Sequence, residues 1–426
     1  MESSTKSPGQ VNESQCAVFA FDVSKDTLNF FSRIGAKTYE RCFSNRSDIV
    51  ETQLGIMVEL AKKAGMKKIL VVAEPTGRYH EVLMMTARRL GLETAWVSGE
   101  AVAKMRVIET NDTGKTDIKD PHVIHTLAAI GKTLIHRVLM EPYNLLREWD
   151  GIYDAADSKL VAVKGDLHNQ LLAIFPDFNF TKDFLYSPSG KTLVEKFGAN
   201  PYAIVALGKD EFTSTMRRLV PRIRSNSIEK LFCQAQSSVR HGLNERLITI
   251  MEIRLRQLWA EYRLYDERKT EARLVMETLY LEARKQEPRL PHEQKGVVTT
   301  FYLARIIAET GPLSDFDCWR KLLRFAGLNL RERQSGTYRG KTRISKKGRR
   351  GLRKVLSQAV LPLITHDGLY GKYYHNKKAA TKMPGTKAMT IVMRKFLKML
   401  FGWYRSGKAF DRERVFTCAD SYLKAA

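Results

Sequence analysis

Short apolar runs separated by polar turns occupy the first part of the chain. Residues 16–23, 26–34 and 37–44 read CAVFAFDV, DTLNFFSRI and KTYERCFS, and each run is typical of a β-strand. Residues 48–65 carry apolar side chains at helical spacing and end at a glycine, which predicts a helix. Residues 67–74, KKILVVAE, form a continuous apolar run, as expected of a strand that is buried on both faces.

The next segments alternate between helix and strand. Residues 79–90 predict a helix, residues 92–98 a strand, and a short helix then leads to a further helical segment at 117–132. Three meandering strands followed by alternating helices and strands indicate an α/β domain with a mixed sheet, which we place at 16–140. Residues 1–15 are polar and are expected to form a flexible leader.

The middle of the chain has a helical pattern. Residues 141–175 and 246–285 carry apolar side chains three or four positions apart, which predicts two long helices. They fit a coiled coil, within or between chains, as well as two ordinary core helices, because Lys269 interrupts the second apolar seam. Residues 176–242 contain Pro, Gly and Asn between short helical patterns. We therefore expect a helical stalk over 141–290 with this segment inserted as a small subdomain.

Residues 291–413 predict a basic, mostly helical domain, and residues 414–426 a tail. Four segments of this domain have apolar residues at helical spacing: 297–311, 316–328, 352–366 and 388–407. Between the second and third of them lies the most basic part of the chain, residues 331–354. It holds eleven Lys or Arg residues and a single acid, Glu332.

Composition narrows the classes of function. The 426 residues suffice for about two or three domains. The formal net charge is +25, and so large an excess indicates a polyanionic partner such as nucleic acid. No run of apolar residues is long enough to cross a membrane, and no signal peptide begins the chain. The five cysteines are far apart and form no CxxC pair, which favours a cytoplasmic protein without a zinc module.

Four acidic residues are candidate metal ligands. Asp22 ends an apolar strand, and Glu74 follows the apolar run ILVVA in the same way. Asp117 and Asp120 lie three residues apart, on one face if the segment is helical. Oxygen ligands suit Mg²⁺ or Mn²⁺, and such ions assist phosphodiester chemistry. Each acid taken singly also fits a helix cap or an ion pair with Arg.

Two histidines of the same segment, His122 and His125, raise the question of a zinc site. Neither an HExxH motif nor a cysteine cluster accompanies them. We therefore expect them to pack in the fold or to lie on the helix surface.

The order of these motifs resembles one family. An Asp ending the first strand, E-x-T-G after a later strand and T-D-x-x-D before a helix form a DEDD pattern like that of RuvC-like nuclease domains. The motifs AETG, FAGL, QSGTYRG and RISKKGRRGLRK follow in the C-terminal part. From about residue 16 to 413 the chain is similar to the IS110 family of insertion-sequence transposases, which are bridge-RNA-guided recombinases. It resembles the longer members because of the inserted segment at 176–242.

The resemblance implies a fold and roles for individual residues. The N-terminal domain is then RNase H-like (RuvC-like), followed by a coiled-coil stalk and a C-terminal transposase domain. Asp22, Glu74, Asp117 and Asp120 match the metal-binding acids, and Ser335 matches the serine that becomes joined to DNA. From its own chemistry, a Ser-Gly pair in a basic loop equally fits a turn that contacts phosphate. Basic residues near Ser335 are candidates for nucleic-acid contacts: Arg331, Arg333, Arg339, Lys341, Arg343, Lys346, Lys347, Arg349 and Arg350.

These inferences predict a DNA transposase that exchanges strands through Mg²⁺ (or Mn²⁺) and a phosphoserine intermediate. The resemblance further implies double-stranded element ends and target DNA, an element-encoded guide RNA and a homo-oligomer of two to four chains. It also implies association with the nucleoid of a prokaryote. Two alternatives remain: a metal-dependent resolvase-like nuclease that uses water, and a nucleic-acid-binding protein without catalysis.

Overall fold

The structure, a computed structural model, divides into two compact units, Met1–Val138 and Leu139–Ala426. It describes the residues 15–75, 77–110, 119–242, 244–332, 334–340, 342–366, 368–411 and 415. The predicted leader and tail lie almost entirely outside them. No helix within this described part is long and apolar enough to cross a membrane.

The N-terminal unit contains a six-stranded mixed sheet. Its strands are β1 (Cys16–Val23), β2 (Thr27–Ile34), β3 (Lys37–Ser44), β4 (Lys68–Ala73), β5 (Glu93–Trp96) and β6 (Leu134–Ile135). They lie in the order β3-β2-β1-β4-β5-β6. β1 pairs antiparallel with β2 and parallel with β4, and β4 pairs parallel with β5. The α/β prediction with a mixed sheet is confirmed, whereas the short edge strand β6 was not foreseen from the sequence.

Among the described residues of this unit, four helices cover the two faces of the sheet. They are α1 (Ser47–Lys63), α2 (Glu81–Arg89), α3 (Gly99–Thr110) and α4 (Lys119–Ala129). Residues Ala17, Phe19 and Phe21 of β1 pack with α1 and α2, whereas Val18 and Ala20 pack with α3 and α4. Because both faces are covered, β1 must be apolar at nearly every position.

Two long helices form the frame of the C-terminal unit. These are α5 (Tyr143–Ile174) and α10 (Glu245–Gln286). Gln170 Nε2 donates to the Met251 carbonyl at 3.1 Å, and Lys269 Nζ donates to Asp157 Oδ1 at 2.6 Å. The later residue of α5 contacts the earlier residue of α10, and the reverse holds for the second pair, so the two helices are antiparallel within one chain. Lys269, which interrupts the apolar seam in the sequence, is accommodated by this ion pair.

The segment between the long helices folds into four short ones: α6 (Pro188–Phe197), α7 (Pro201–Leu207), α8 (Lys209–Leu219) and α9 (Ser225–Val239), preceded by a 3₁₀ turn over Lys182–Tyr186. Their apolar residues share one core with the C-terminal half of α5 and the N-terminal half of α10, including Leu167 and Leu255. The inserted helices therefore pack on the adjoining ends of the helical frame.

The last part is mostly helical, as its sequence predicts. It contains α11 (Thr300–Thr310), α12 (Trp319–Phe325), α13 (Arg350–His366), α14 (Gly368–Ala380) and α15 (Gly385–Ser406), with a 3₁₀ turn at Leu313–Asp315. Two short ribbons interrupt the helices: β7 (Leu330–Arg331) pairs with β10 (Arg343–Ile344), and β8 (Gln334–Ser335) pairs with β9 (Tyr338–Arg339). The sequence pattern did not reveal these ribbons.

A buried charge cluster joins α5, α11 and α13. The Arg305 side chain is 1% exposed and donates to Asp150, Asp154 and Gln358 at 2.6, 2.5 and 2.7 Å. Burial raises the pKa of Asp150 to about 6, and Arg305 opposes that rise. A buried guanidinium group is stable only with such partners, so removal of either acid would destabilise this junction.

Candidate active site

Asp22 and Glu74 lie side by side at the end of the central strands. In the parallel pair of β1 and β4, Phe21 is the partner of Ala73. Asp22 is the next residue of β1, and Glu74 is the first residue after β4. Neighbouring strands lie about 4.8 Å apart. The fold therefore brings these two predicted carboxylates together.

Both acids belong to the face of the sheet that α3 and α4 cover. Side chains alternate between the two faces of a strand. Asp22 follows Val18 and Ala20 at alternate positions of β1, and Glu74 follows Leu70 and Val72 in the same way. Those four apolar residues pack with α3 and α4 in one core. A carboxylate that continues this row at the strand end reaches the edge of that core.

The Glu74 carboxylate lies against the first residue of α3, Gly99. A Cβ atom at Gly99 would overlap Glu74 Oε1 and lie 3.1 Å from its Cδ. Only glycine therefore leaves room for the carboxylate at this place. The N-terminus of a helix is electropositive and favours a carboxylate. Sequence reasoning missed Gly99, because nothing in the pattern VSGEAV marks contact with an acid 25 residues earlier.

Asp120 lies at the start of α4 and is 2% exposed. Nε and Nη2 of Arg106 donate to its Oδ1 at 2.9 and 2.6 Å. The next residues, Pro121 and His122, line a cleft with Asn29, and Asn29 is the β2 partner of Asp22. The N-terminus of α4 is thus near the same end of the sheet as Asp22. Arg106 was not foreseen as a partner of Asp120.

The fourth predicted ligand, Asp117, lies outside the described residues. Within the described part of the chain, no three His, Cys, Asp or Glu side chains are close enough to hold a metal ion. Asp22, Glu74 and Asp120 carry oxygen donors alone, which is the type of ligand that Mg²⁺ prefers. The guanidinium of Arg106 supplies the positive charge that Asp120 requires where it is buried.

His122 and His125 pack in the fold, as the sequence predicts. The His122 ring lies 3.8 Å from that of Phe31, and His122 Nε2 is 3.1 Å from Glu40 Oε1. His125 meets Phe31 edge to face and is buried. Burial lowers the pKa of His125 to about 4, with help from the Arg33 and His122 charges.

Ser335 lies at the tip of an exposed basic hairpin. In β8 and β9 it pairs with Tyr338, which leaves Gly336 and Thr337 as a two-residue turn. Gly336 has φ = +55°, which such turns require and which glycine adopts without strain. Toward the base of the hairpin, Arg331 pairs with Arg343. We call residues 329–345 the arm; it presents the Ser335 hydroxyl to solvent.

Two family models match the chain, one across the acidic residues and the other across the arm. Residues 19–176, with Asp22, Glu74 and Asp120, match a model described as "Transposase", of the DEDD type of IS110. Residues 296–375, with Ser335, match the model "Transposase IS116/IS110/IS902 family". The chain belongs to the IS110 family of transposases. No curated protein matches it. As a member of this family it is an enzyme of DNA recombination that acts on DNA.

Two glycines of the IS110-type motifs hold the base of the arm. Gly327 of FAGL and Gly348 of SKKG have φ of +68° and +148°. A Cβ at Gly348 would overlap the Phe325 carbonyl oxygen and lie 2.5 Å from Gly327 N. The two backbone segments therefore meet without side chains between them. Lys346 N donates to the Gly327 carbonyl at 3.0 Å, and Arg349 N donates to that of Phe325 at 2.8 Å.

The predicted nucleic-acid contacts divide into three groups. The side chains of Arg331, Arg343, Lys346, Lys347 and Arg350 are exposed. Arg349 instead donates to Glu309 of the AETG motif at 2.9 Å, an ion pair within the protein. Arg333, Lys341 and the Arg339 side chain lie outside the described residues.

Proposed function

We propose that this transposase cuts and rejoins DNA through a covalent bond between Ser335 and a backbone phosphate. One observation carries the proposal: the serine hydroxyl is exposed at the tip of an arm flanked by cations. Arg331 and Arg343 are opposite one another in that arm. Like charges in this position repel, so a bound phosphate would stabilise the pair.

In the proposed step the Ser335 Oγ forms a bond to phosphorus while the bond from phosphorus to one sugar oxygen breaks. The serine loses its proton, and the departing sugar oxygen gains one. A serine hydroxyl is a weak nucleophile at its ordinary pKa. Cations around the phosphate favour the reaction because they stabilise the charge that develops on its oxygens.

We further propose that Asp22, Glu74 and Asp120, together with Asp117, hold Mg²⁺ (or Mn²⁺). Bound there, such ions would supply Lewis acidity for phosphodiester chemistry. The antiparallel order of β3, β2 and β1, continued by the parallel strands β4 and β5, supports an RNase H-like fold for this domain.

The remaining partners are proposals from the family resemblance. A net charge of +25 suits both DNA and a guide RNA, since either is a polyanion. Association into a homo-oligomer through a coiled-coil stalk is supported by exposed apolar residues on α10, among them Ile250, Ile253 and Leu274.

A suicide substrate tests the serine directly. A nicked DNA end releases one strand after cleavage and traps the covalent adduct, which is then separated on a denaturing gel and mapped by peptide analysis. Ser335→Ala should abolish the adduct, because alanine has no oxygen to attack phosphorus. Ser345→Ala is the matched control. Ser345 Oγ donates a hydrogen bond to Asn329 Oδ1 at 2.5 Å at the base of the arm, so we expect this hydroxyl not to attack DNA and the variant to form the adduct normally.

Two results would contradict the proposal. An adduct that maps to Tyr338 or Ser345 would reassign the nucleophile. Strong cleavage by Ser335→Ala would favour water as the nucleophile, with Ser335 only binding phosphate; loss of one such hydrogen bond costs about 1–3 kcal/mol, or roughly ten- to a hundredfold in rate. An adduct at Ser335 that disappears in Asp22→Asn would show that the acids take part in its formation.

A further inference from the structure

A groove lies beside the base of the arm in the C-terminal unit. It is formed by α12, α15 and the arm itself, with Trp319, Ile391 and Ile344 among its walls, and has a volume of about 930 Å³. A second depression of about 400 Å³ continues it and shares Trp319, Leu323, Leu330 and Arg394. The two together form one cleft with an apolar floor.

The rim of the groove is strongly basic. Among the described residues that line the groove, none is Asp or Glu, and six are Lys or Arg: Arg343, Lys346, Lys387, Arg394, Lys395 and Lys398. Arg394 lies partly within the protein, where burial lowers its pKa. A partly buried cation whose groove contains no acid among the described lining residues is stabilised when an anion enters. The charge therefore selects a polyanion as the occupant.

The floor of the groove suits flat apolar groups. Trp319 and Tyr373 are half-buried, so part of each ring faces the groove. Lys398 Nζ lies 4.8 Å from the centre of the Trp319 ring, and Lys395 Nζ lies 5.1 Å from that of Tyr373. Unpaired bases stack on aromatic rings in such clefts, while their phosphates contact neighbouring Lys and Arg side chains. A paired duplex would offer its phosphates but would leave the apolar floor exposed to water.

We propose that this groove binds an unpaired segment of the DNA strand next to the phosphate that Ser335 attacks. The inference rests on the proposed function and adds to it a site for melted DNA. Leu330 of the groove and Ser335 are five residues apart, so the arm spans at most about 17 Å between them. That reach equals a few nucleotides of an extended strand.

Binding of fluorescent oligonucleotides tests the groove, with anisotropy as the signal. The probes are a single-stranded DNA, a duplex of the same sequence and the corresponding single-stranded RNA. Trp319→Leu should weaken binding of the single-stranded DNA by about tenfold, whereas Trp319→Phe should retain most of it because a ring is kept. Binding of the duplex should change by less than about twofold. A cross-link from 5-iododeoxyuridine should map to Trp319 or Tyr373.

Arg394→Gln provides a second variant if Trp319→Leu does not fold. It should also weaken binding of the single-stranded DNA more than binding of the duplex. Ser335→Ala should bind the single strand as the unmodified protein does, so loss of the adduct and loss of groove binding are separate results. Equal affinities of the unmodified protein, Trp319→Leu and Arg394→Gln for the single strand would overturn the inference. Cross-links only outside the groove, or a Trp319-dependent preference for the RNA probe, would likewise overturn the assignment to DNA.

Discussion

At the scale of single residues, the absence of a side chain at Gly99 determines where a candidate metal ligand lies. The Glu74 carboxylate occupies the space that a Cβ at this position would fill. The carboxylate is at the free end of a side chain, which can rotate away at small cost. A methyl group here should therefore displace the acid without unfolding the sheet.

We predict that Gly99→Ala reduces DNA cleavage by at least about tenfold, the scale of a misplaced catalytic group. Thermal unfolding should remain close to that of the unmodified protein, because the change affects one side-chain end. The measurement combines cleavage rates at saturating Mg²⁺ with a melting curve.

Gly55→Ala is the matched control for this change. Gly55 lies in α1 of the same unit, and nothing lies within 4 Å of the added Cβ. Alanine in a helix is more stable than glycine by about 1 kcal/mol, so this variant should melt slightly higher and cleave normally. If Gly99→Ala cleaves at the same rate as Gly55→Ala, the position of Glu74 is unimportant for the reaction.

At the scale of elements, the arm depends on two segments that touch through their backbones. Arg353 Nη1 adds hydrogen bonds from the side, at 3.0 Å to the Ala326 carbonyl and 3.2 Å to that of Gly348. The helices α12 and α13 are thereby tied together below the hairpin. The position of Ser335 relative to the helices follows from this junction.

We predict that Gly348→Ala separates the junction. The added Cβ would overlap the Phe325 carbonyl oxygen, and a backbone atom cannot rotate away. Overpacking of this kind costs about 1–3 kcal/mol. We expect a lower melting temperature, faster proteolysis within residues 329–345 and loss of most of the Ser335 adduct.

Gly402→Ala controls for the glycine replacement itself. Gly402 is exposed in α15, and no atom lies within 4 Å of its added Cβ. This variant should keep both the adduct and the slow proteolysis of the arm. Normal adduct yield from Gly348→Ala would show that close contact at the junction is not required.

At the scale of the whole molecule, each unit buries an Arg with an acidic partner: Arg305 with Asp150 in the C-terminal unit and Arg106 with Asp120 in the N-terminal unit. The N-terminal unit also buries His125 against Phe31. Between about pH 6.5 and 4 the unfolded state binds a proton at His125 that the folded state does not bind. Stability of the N-terminal unit is therefore lost as the pH falls through this range.

We predict that hydrogen exchange of the β1 and β4 amides becomes faster as the pH falls from 6.5 to 4, after correction for intrinsic rates. His125 contributes at most about 1.4 kcal/mol per pH unit to this slope. His125→Gln should make the slope smaller for these amides. An identical slope in His125→Gln would mean that His125 is protonated in the folded protein.

The sequence alone determined the elements and the chemical classes of their residues. Periodicity predicted β1 to β5 and the long helices, because burial on one or two faces fixes the order of apolar positions. The motif order predicted the IS110 family, which the family models confirm. The acids and Ser335 could also be chosen from the sequence, although their proposed roles remain to be tested.

Tertiary structure decided which residues meet. Nothing local in the sequence connects Gly99 with Glu74, Arg106 with Asp120 or Gly327 with Gly348, because each contact arises when separate segments pack together. The two-residue ribbons of the arm are too short for periodicity to reveal. The groove likewise combines Trp319, Ile344 and Lys398 from three elements. The sequence therefore determined which groups are present, and packing determined their distances and surroundings.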